Sequence, residues 1–463
     1  MLRKLRTLAQ PGLLMMLFLA AASAQNHYIV RAPAGNVRDI CARHGMQLVA
    51  ALNGSANGLY IVNSPLNLSQ VTQALRTESA VQHVEQDQPL ALPETSVKSS
   101  VSKTAQSILA MIGTLKLSGF KNSDDGTGNS AWVAYTNQPA VSWVKMTQAQ
   151  KITQGTGTVA ILDTGIDVLH PVLRNSLVWG YDFINKVPGG FATPVDLNQS
   201  TTSILDQSTT SILDQSTTSI LDANSTVVLD QSTTSILDQS TTSILDQSTT
   251  SILDTSKPIN DYGHGTMVAG IIHLVAPKAK LMPVKVFDVH GGSSISLIVA
   301  GIHYAVDNGA RVLNMSFSMT APSQELADAI AWAIGRGVII VAAAGNEGKA
   351  MTVYPAGNDG VIGVAATEDD KTRAFYSNFG SVVDLAAPGS AIITTYPNNR
   401  YAAGWGTSFS APMVAGAASL LLQLNGRLGP PSATQAVDHA KPLPGQQLGA
   451  GLLDLMLACS GVH

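Results

Sequence analysis

The sequence predicts an α/β protein. Its core would be a mostly parallel sheet with helices on both faces, preceded by a small α+β unit. Two observations carry this. From about residue 131, short apolar runs alternate with amphipathic stretches, the order expected when helices connect parallel strands. The chain is also 45% hydrophobic and only 13% charged over 463 residues, enough to bury a large core.

The elements follow in order. Residues 1–24 have the pattern of a signal peptide: basic Arg3, Lys4 and Arg6, an apolar run from Leu13 to Ala22, and the small-x-small site Ala22-Ser23-Ala24. The run is too short to span a bilayer as a permanent helix. Gln25, not Cys, follows the expected cut, so no lipid anchor is expected. The expectation is an exported protein, extracellular or periplasmic, with no membrane anchor in its mature form.

Residues 25–92 hold strand-like Tyr28-Ile29-Val30 and Leu59-Tyr60-Ile61-Val62. Helix-like stretches follow at 36–44 and 67–78, and an alternating piece runs through Val81, Val84 and Leu90. Together they read as a small β-α-β-type unit. Residues 93–130, rich in Ser, Lys, Thr, Asn and Gly, read as a linker. Residues 131–463 carry the apolar runs Val159–Leu162, Leu281–Phe287, Val312–Met315, Val338–Ala343 and Val361–Ala365. Between them lie amphipathic stretches such as 295–307 and 323–335.

Charge and cysteine content narrow the function. A net charge of −4 without a basic stripe gives no footprint for nucleic acid. Cys41 and Cys459 are too few for a structural zinc site and are expected to be unpaired thiols.

Four motifs carry chemistry. Asp163 ends the apolar run Ala160-Ile161-Leu162 and precedes a glycine turn, where open α/β sheets gather functional groups. An acid there can orient an imidazole; it can equally close an Asx-turn. His264 lies between Gly263 and Gly265 at the start of an apolar helix, as a catalyst or as a satisfied core histidine. Ser408 precedes the apolar helix that runs to about Leu424, as a nucleophile at the positive helix end or as an N-cap. Asn346 follows Ala344-Gly345 at a strand end, as an oxyanion donor or as a turn residue.

Asp163-Thr164-Gly165, His264-Gly265-Thr266, Asn346 and Gly406-Thr407-Ser408 with Pro412, in that chain order, resemble the subtilisin family. The resemblance covers about residues 131–457, apart from a repeat described below. It implies a seven-stranded, mostly parallel sheet and a serine endopeptidase; no cofactor or catalytic metal is expected, and structural calcium stays open. Ser408 would be the nucleophile, His264 its base, Asp163 the residue that orients the base, and Asn346 an oxyanion donor. The implied peptide cleft would be lined by Ser316, Phe317, Ser318, Gly345 and Val353. Partners would be protein or peptide substrates and the chain's own prodomain, since residues 25–92 resemble the inhibitory prodomain of such proteases. Val84–Gln88 would be its closing strand, with Pro89–Pro93 running through the active site. The sequence departs from the family at Ser318 and Met319, where glycines usually follow the strand, and at Val353, where the pocket floor is usually small. Phe409 and Met413 also replace commoner residues near the nucleophile.

The octapeptide Gln-Ser-Thr-Thr-Ser-Ile-Leu-Asp starts at Gln199 and recurs to Asp254, with one degenerate copy at Ala223–Asp230. It lies between Asp163 and His264, where a surface loop tolerates growth at small entropic cost. Its Thr, Ile and Leu favour strands, in a stack or an added sheet. Two large apolar residues per copy, without Gly or Pro turns, fit disorder equally well. The glycine-rich calcium repeat is absent. Two other functions compete with proteolysis. One is a catalytically silent binding module, which a serine-directed inhibitor would separate from an active enzyme. The other is an adhesin displaying the repeat, which cell binding by the repeat would reveal.

Overall fold

The computed structural model describes residues 26–52, 58–92, 122–125, 127–128, 130–191, 203–205, 263–289 and 291–462. The signal-peptide reading, most of the linker and most of the repeat lie outside them.

The N-terminal unit runs β1 (Asn26–Arg31), α1 (Val37–Arg43), β2 (Gln47–Ala51), β3 (Leu59–Ser64), α2 (Leu68–Leu75) and β4 (His83–Gln86). Its antiparallel sheet has the order β2-β3-β1-β4. The expected β-α-β unit is thus a β-α-β-β-α-β unit. The additional strand, β2, carries the apolar residues Leu48–Ala51, yet alternates between exposed and half-buried positions. The apolar runs of β1 and β3 serve two cores at once. Tyr28, Val30, Tyr60 and Val62 pack under α1 and α2. Ile29 and Leu59, on the opposite face, join the apolar core of the following domain. Alternate residues of a strand face opposite sides, so a continuous apolar run marks a sheet covered on both faces.

β5 (Pro89–Ala91) follows. Then come β6 (Asn122–Asp124) and β7 (Ser130–Trp132), which pair as an antiparallel hairpin. Residues 122–130, expected as linker, therefore include an ordered hairpin. Asp125 between its strands bonds to buried His273 at 3.1 Å. That hydrogen bond holds the Asp125 carboxyl well below its ordinary value, against a burial effect of opposite sign.

Three short helices, α3 (Val133–Thr136), α4 (Pro139–Trp143) and α5 (Met146–Gln150), lead into the large domain. Its strands are β8 (Thr158–Asp163), β9 (Tyr181–Asp182), β10 (Val187–Pro188), β11 (Ser203–Leu205), β12 (Lys280–Lys285), β13 (Gly292–Ser294), β14 (Ala310–Met315), β15 (Ile339–Ala343), β16 (Val361–Thr367), β17 (Leu385–Pro388), β18 (Ile392–Tyr396) and β19 (Arg400–Gly404). Its helices are α6 (His264–Val275), α7 (Ile295–Asp307), α8 (Gln324–Ile334), α9 (Thr407–Leu424), α10 (Pro430–Val437) and α11 (Leu455–Ser460).

The main sheet has the order β10-β9-β12-β8-β14-β15-β16-β17. Neighbours from β9 to β17 pair in parallel, giving the seven parallel strands expected, with two-residue β10 added antiparallel at one edge. Apolar clusters lie on both faces. α9 is long and apolar enough to cross a bilayer by length and composition, but 89% of that span is buried in the core. Cys41 and Cys459 are separate buried thiols.

Candidate active site

Asp163 and His264 come together because two glycine-bearing turns interlock. β8 lies inside the sheet between β12 and β14, so Asp163 at its end is 1% exposed. α6 begins at His264, and its Nδ1 lies 2.8 and 2.9 Å from the two Asp163 carboxylate oxygens. Nδ1 against a carboxylate carries the proton, which leaves Nε2 with the lone pair of a base. A Cβ on Gly265 would stand 2.3 Å from the Gly165 carbonyl oxygen and 3.1 Å from Asp163 Oδ1. Glycine after the histidine is what lets α6 approach the strand end. The Gly265 N–H donates to Thr164 Oγ1 at 3.1 Å, and the Thr164 N–H donates to Asp163 Oδ1 at 2.7 Å. Beneath the turn, buried Lys285 donates to the Thr164 carbonyl at 2.7 Å. Burial lowers its pKa, while Asp182, Asp288 and Asp163 act to raise it.

Ser408 is the second residue of α9, where backbone N–H groups lack partners within the helix and the dipole favours negative charge. The preceding Gly406 has φ +138°, a conformation that side-chain-bearing residues rarely adopt. The Ser408 carbonyl accepts from Ser316 Oγ at 3.0 Å, and Ser316 Oγ accepts from Asn314 Nδ2 at 2.9 Å. The next ring along α9, Phe409, meets the His264 ring edge-on with centroids 5.9 Å apart. The histidine is thereby fixed between the Asp163 turn and the start of α9.

Asn346 lies just beyond β15. Its Oδ1 accepts from both the N–H and the hydroxyl of Thr407, each at 2.8 Å. Thr407 Oγ1 also accepts the Gly345 N–H at 3.1 Å. This clamp fixes which way the carboxamide points. Asn346 Nδ2 is buried with no hydrogen-bond partner among the described residues. Since an unmade buried hydrogen bond costs about 1–3 kcal/mol, such a donor marks a place where an acceptor arrives. An oxyanion next to Ser408 is such an acceptor.

The residues expected to line a peptide cleft are placed unevenly. Ser318 is half-exposed, and Gly345 sits beside it, a Cβ on the glycine falling 3.4 Å from Ser318 Oγ. Ser316 is fully buried and braces the Ser408 carbonyl. Phe317 is fully buried against Phe287, and Val353 is fully buried in the same apolar cluster. Main-chain hydrogen bonds between Met319 and Tyr354 fasten the two segments together. Thr164 and Thr407 stand in the quoted motifs, but the sequence assigns them no role. Their only signal was adjacency to the serine and the aspartate.

The N-terminal unit reaches this region by charge and by main chain. Glu85 accepts from Ser323 Oγ at 2.6 Å and from the Gln324 N–H at 3.0 Å, at the start of α8. Asp87 accepts from the Ser296 N–H at 2.9 Å and its hydroxyl at 2.7 Å, at the start of α7. Burial raises the Asp87 pKa despite these bonds. β5 then pairs antiparallel with β13, and the Leu92 N–H donates to the Gly291 carbonyl at 3.0 Å. Leu90 and Leu92 are buried in the cluster that contains Met315 and Phe317.

Comparison with known proteins identifies the family of the chain. The model of the Subtilase family matches residues 155–451. Thermitase of Thermoactinomyces vulgaris is 32% identical over 289 residues, covering 60% of this chain and 79% of its own length. Subtilisin Savinase of Lederbergia lenta is 42% identical over 172 residues, which are 35% of this chain and 64% of that one. Among solved structures, fervidolysin of Fervidobacterium pennivorans, a keratinolytic enzyme related to subtilisin, superposes with a TM-score of 0.63 at 20% identity. The match covers 94% of this chain and 61% of that one, and at that identity it speaks for the fold alone.

Proposed function

Given that the chain belongs to the subtilase family and is a serine-type endopeptidase, we propose that it hydrolyses peptide bonds through Ser408, His264 and Asp163, as an exported enzyme made in a self-processing precursor. Ser408 Oγ attacks the peptide carbonyl carbon while His264 Nε2 takes its proton. The tetrahedral oxyanion is held by Asn346 Nδ2 and the Ser408 N–H. His264 returns the proton to the leaving amine, which departs and leaves an acyl-enzyme. Water, deprotonated by His264, then attacks the ester, and Ser408 regains its proton. Asp163 keeps His264 in the Nδ1–H form and stabilises the imidazolium in both halves of the cycle.

The observation that carries this reading is the clamped Asn346 carboxamide, with its buried Nδ2 open to an incoming acceptor beside Ser408. A catalytically silent module has no use for such a donor. Self-processing is supported by β5, which adds as a strand to β13 of the large domain, with Leu90 and Leu92 in the apolar cluster that holds Phe317. Ser408→Ala is expected to abolish hydrolysis of a general protein substrate. It should also leave the precursor uncut between residues 89 and 130 in a host lacking other proteases. Normal trimming of that variant would sink the self-processing reading. For specificity, Ser318 and Val353 favour a shallow pocket and small or medium apolar residues before the cut. The preference should be graded, since one or two methylenes are worth about 1–3 kcal/mol. Equal or better cleavage after Tyr in a mixed peptide library would rule it out.

A further inference from the structure

One edge of the catalytic domain is filled by the repeat. β11, the Ser203-Ile204-Leu205 of the first octapeptide, pairs antiparallel with β19: Ser203 opposite Ala403, Ile204 opposite Ala402, and Leu205 opposite Tyr401. The sheet has the order β11-β19-β18, so β19 has β18 on its inner side and the repeat on its outer side. β19 leads through Trp405, Gly406 and Thr407 to Ser408. β18 grips the helix of the catalytic histidine: Thr394 and Thr395 hydroxyls donate to the Met267 and Thr266 carbonyls at 2.6 and 2.8 Å. The partner positions on β19 are fixed from behind. Ala402 and Ala403 are fully buried, and the Tyr401 hydroxyl accepts the Trp132 N–H at 3.1 Å.

An edge strand offers a row of main-chain donors and acceptors that recognise strand shape more than sequence. The tripeptide paired here recurs. Ser-Ile-Leu stands in six copies, and the degenerate copy has Val227-Val228-Leu229 in its place, still strand-forming. The period of eight is even, so a shift by one copy presents the same alternate residues to each face. Gly263, which opens α6, also packs on this hairpin, since its added Cβ would meet the Tyr396 ring of β18 at 2.2 Å.

From these features we infer that the outer edge of β19 is a docking site for the repeat's own Ser-Ile-Leu segments, which any copy can fill interchangeably and within the same chain. The array is a set of redundant strands. Losing one to mutation or cleavage leaves the edge next to the nucleophile turn covered by another, and each exchange moves eight residues of slack from one side of the docked strand to the other.

Hydrogen–deuterium exchange at residues 400–404 tests this, on the full chain carrying Ser408→Ala to prevent self-digestion. Ile204→Pro alone should leave exchange within about twofold of the parent, because the other copies remain at high local concentration. Combining it with Ile212→Pro, Ile220→Pro, Val228→Pro, Ile236→Pro, Ile244→Pro and Ile252→Pro should speed exchange at least about tenfold. Loss of protection in Ile204→Pro alone would mean that only the first copy docks. Protection that survives all seven substitutions would mean that the repeat does not hold the edge. Either result overturns the inference. Cross-linking provides a second measurement. Ala402→Cys with Ile204→Cys, and Ala402→Cys with Ile252→Cys, should form disulfides in comparable, concentration-independent yield. A bond in the first pair alone, or a yield that rises with protein concentration, would also overturn it.

Discussion

Two strands are added to the catalytic domain, and they are held by opposite means. β5 arrives with charged side chains on the strand before it. Glu85 and Asp87 each meet the N-terminus of a different helix, and Arg31 of the same sheet pairs with Glu325 and Asp328 on α8. Those contacts fit one register only, because each carboxylate has one helix end to satisfy. β11 carries no charge at its three paired positions, and its sequence recurs along the insertion. Side-chain charge thus specifies a single docked state, whereas main-chain pairing of a repeated tripeptide permits several. Two experiments try to break the specific side of this comparison and a third tests the permissive side.

The largest effect is expected from Glu85→Ala with Asp87→Ala. Both helix ends lose their acceptors and the N-terminal unit loses its register. Hydrogen bonds to charged groups contribute about 1.5–3 kcal/mol each, so the pair should cost about 3 kcal/mol, roughly 100-fold in inhibition when the unit is added to processed enzyme. Inhibition within a few-fold of the parent would show that apolar contacts through Ile29, Leu59 and Leu90 dominate instead.

Arg31→Ala should have the next largest effect. Glu325 is fully buried beneath the unit, and burial raises its pKa while Arg31 opposes that shift. Removing the guanidinium leaves a buried carboxylate with less compensation. For a pair whose arginine is partly exposed this costs about 2 kcal/mol, roughly 30-fold at neutral pH. The sign of the pH dependence follows from the same burial. Asp87 and Glu325 both have raised values in the docked state, so docking takes up protons. Their contribution is present below the ordinary carboxylate range and fades as pH rises through the raised values. Inhibition by the unit should therefore strengthen on acidification, and the Arg31→Ala deficit should shrink. An inhibition constant that weakens between pH 7 and pH 5 in the parent would contradict this.

The motifs of the candidate site were legible in the sequence because their constraints are local. Gly265 lets α6 close on Asp163, and Gly406, at positive φ, caps the start of α9; they stand one and two positions from His264 and Ser408. The parallel sheet was legible because its buried strands are continuous apolar runs. The supports of the site were not, because their partners are far along the chain: Thr407 clamps Asn346 across 61 positions, and Ser316 braces Ser408 across 92. Most of the hairpin, residues 122–130, has a linker composition for the same reason, since Asp125 is fixed by His273, 148 positions away. β2 shows the reverse case: Leu48–Leu52 is an apolar run, but its side chains within the strand are exposed or half-buried, so the run does not mark a covered sheet face.

The smallest effect, and the test of permissive docking, is deletion of the repeat by joining Asn198 to Thr255. The insertion contains none of the four residues proposed to act in catalysis, and the deletion removes β11. β19 keeps five paired positions with β18 and its Tyr401 anchor to Trp132, so the strand leading to Ser408 stays in place. Asp163 and His264 lie on β8 and α6 and hold each other without help from the loop. Turnover of a short peptide should stay within about tenfold of the parent, equivalent to about 1.4 kcal/mol in the barrier. Exchange at residues 400–404 should nevertheless quicken, because the edge is then bare. Activity lost far beyond tenfold in a folded deletion variant would show that edge pairing helps to build the nucleophile turn, making the repeat part of the catalytic architecture and not only its cover.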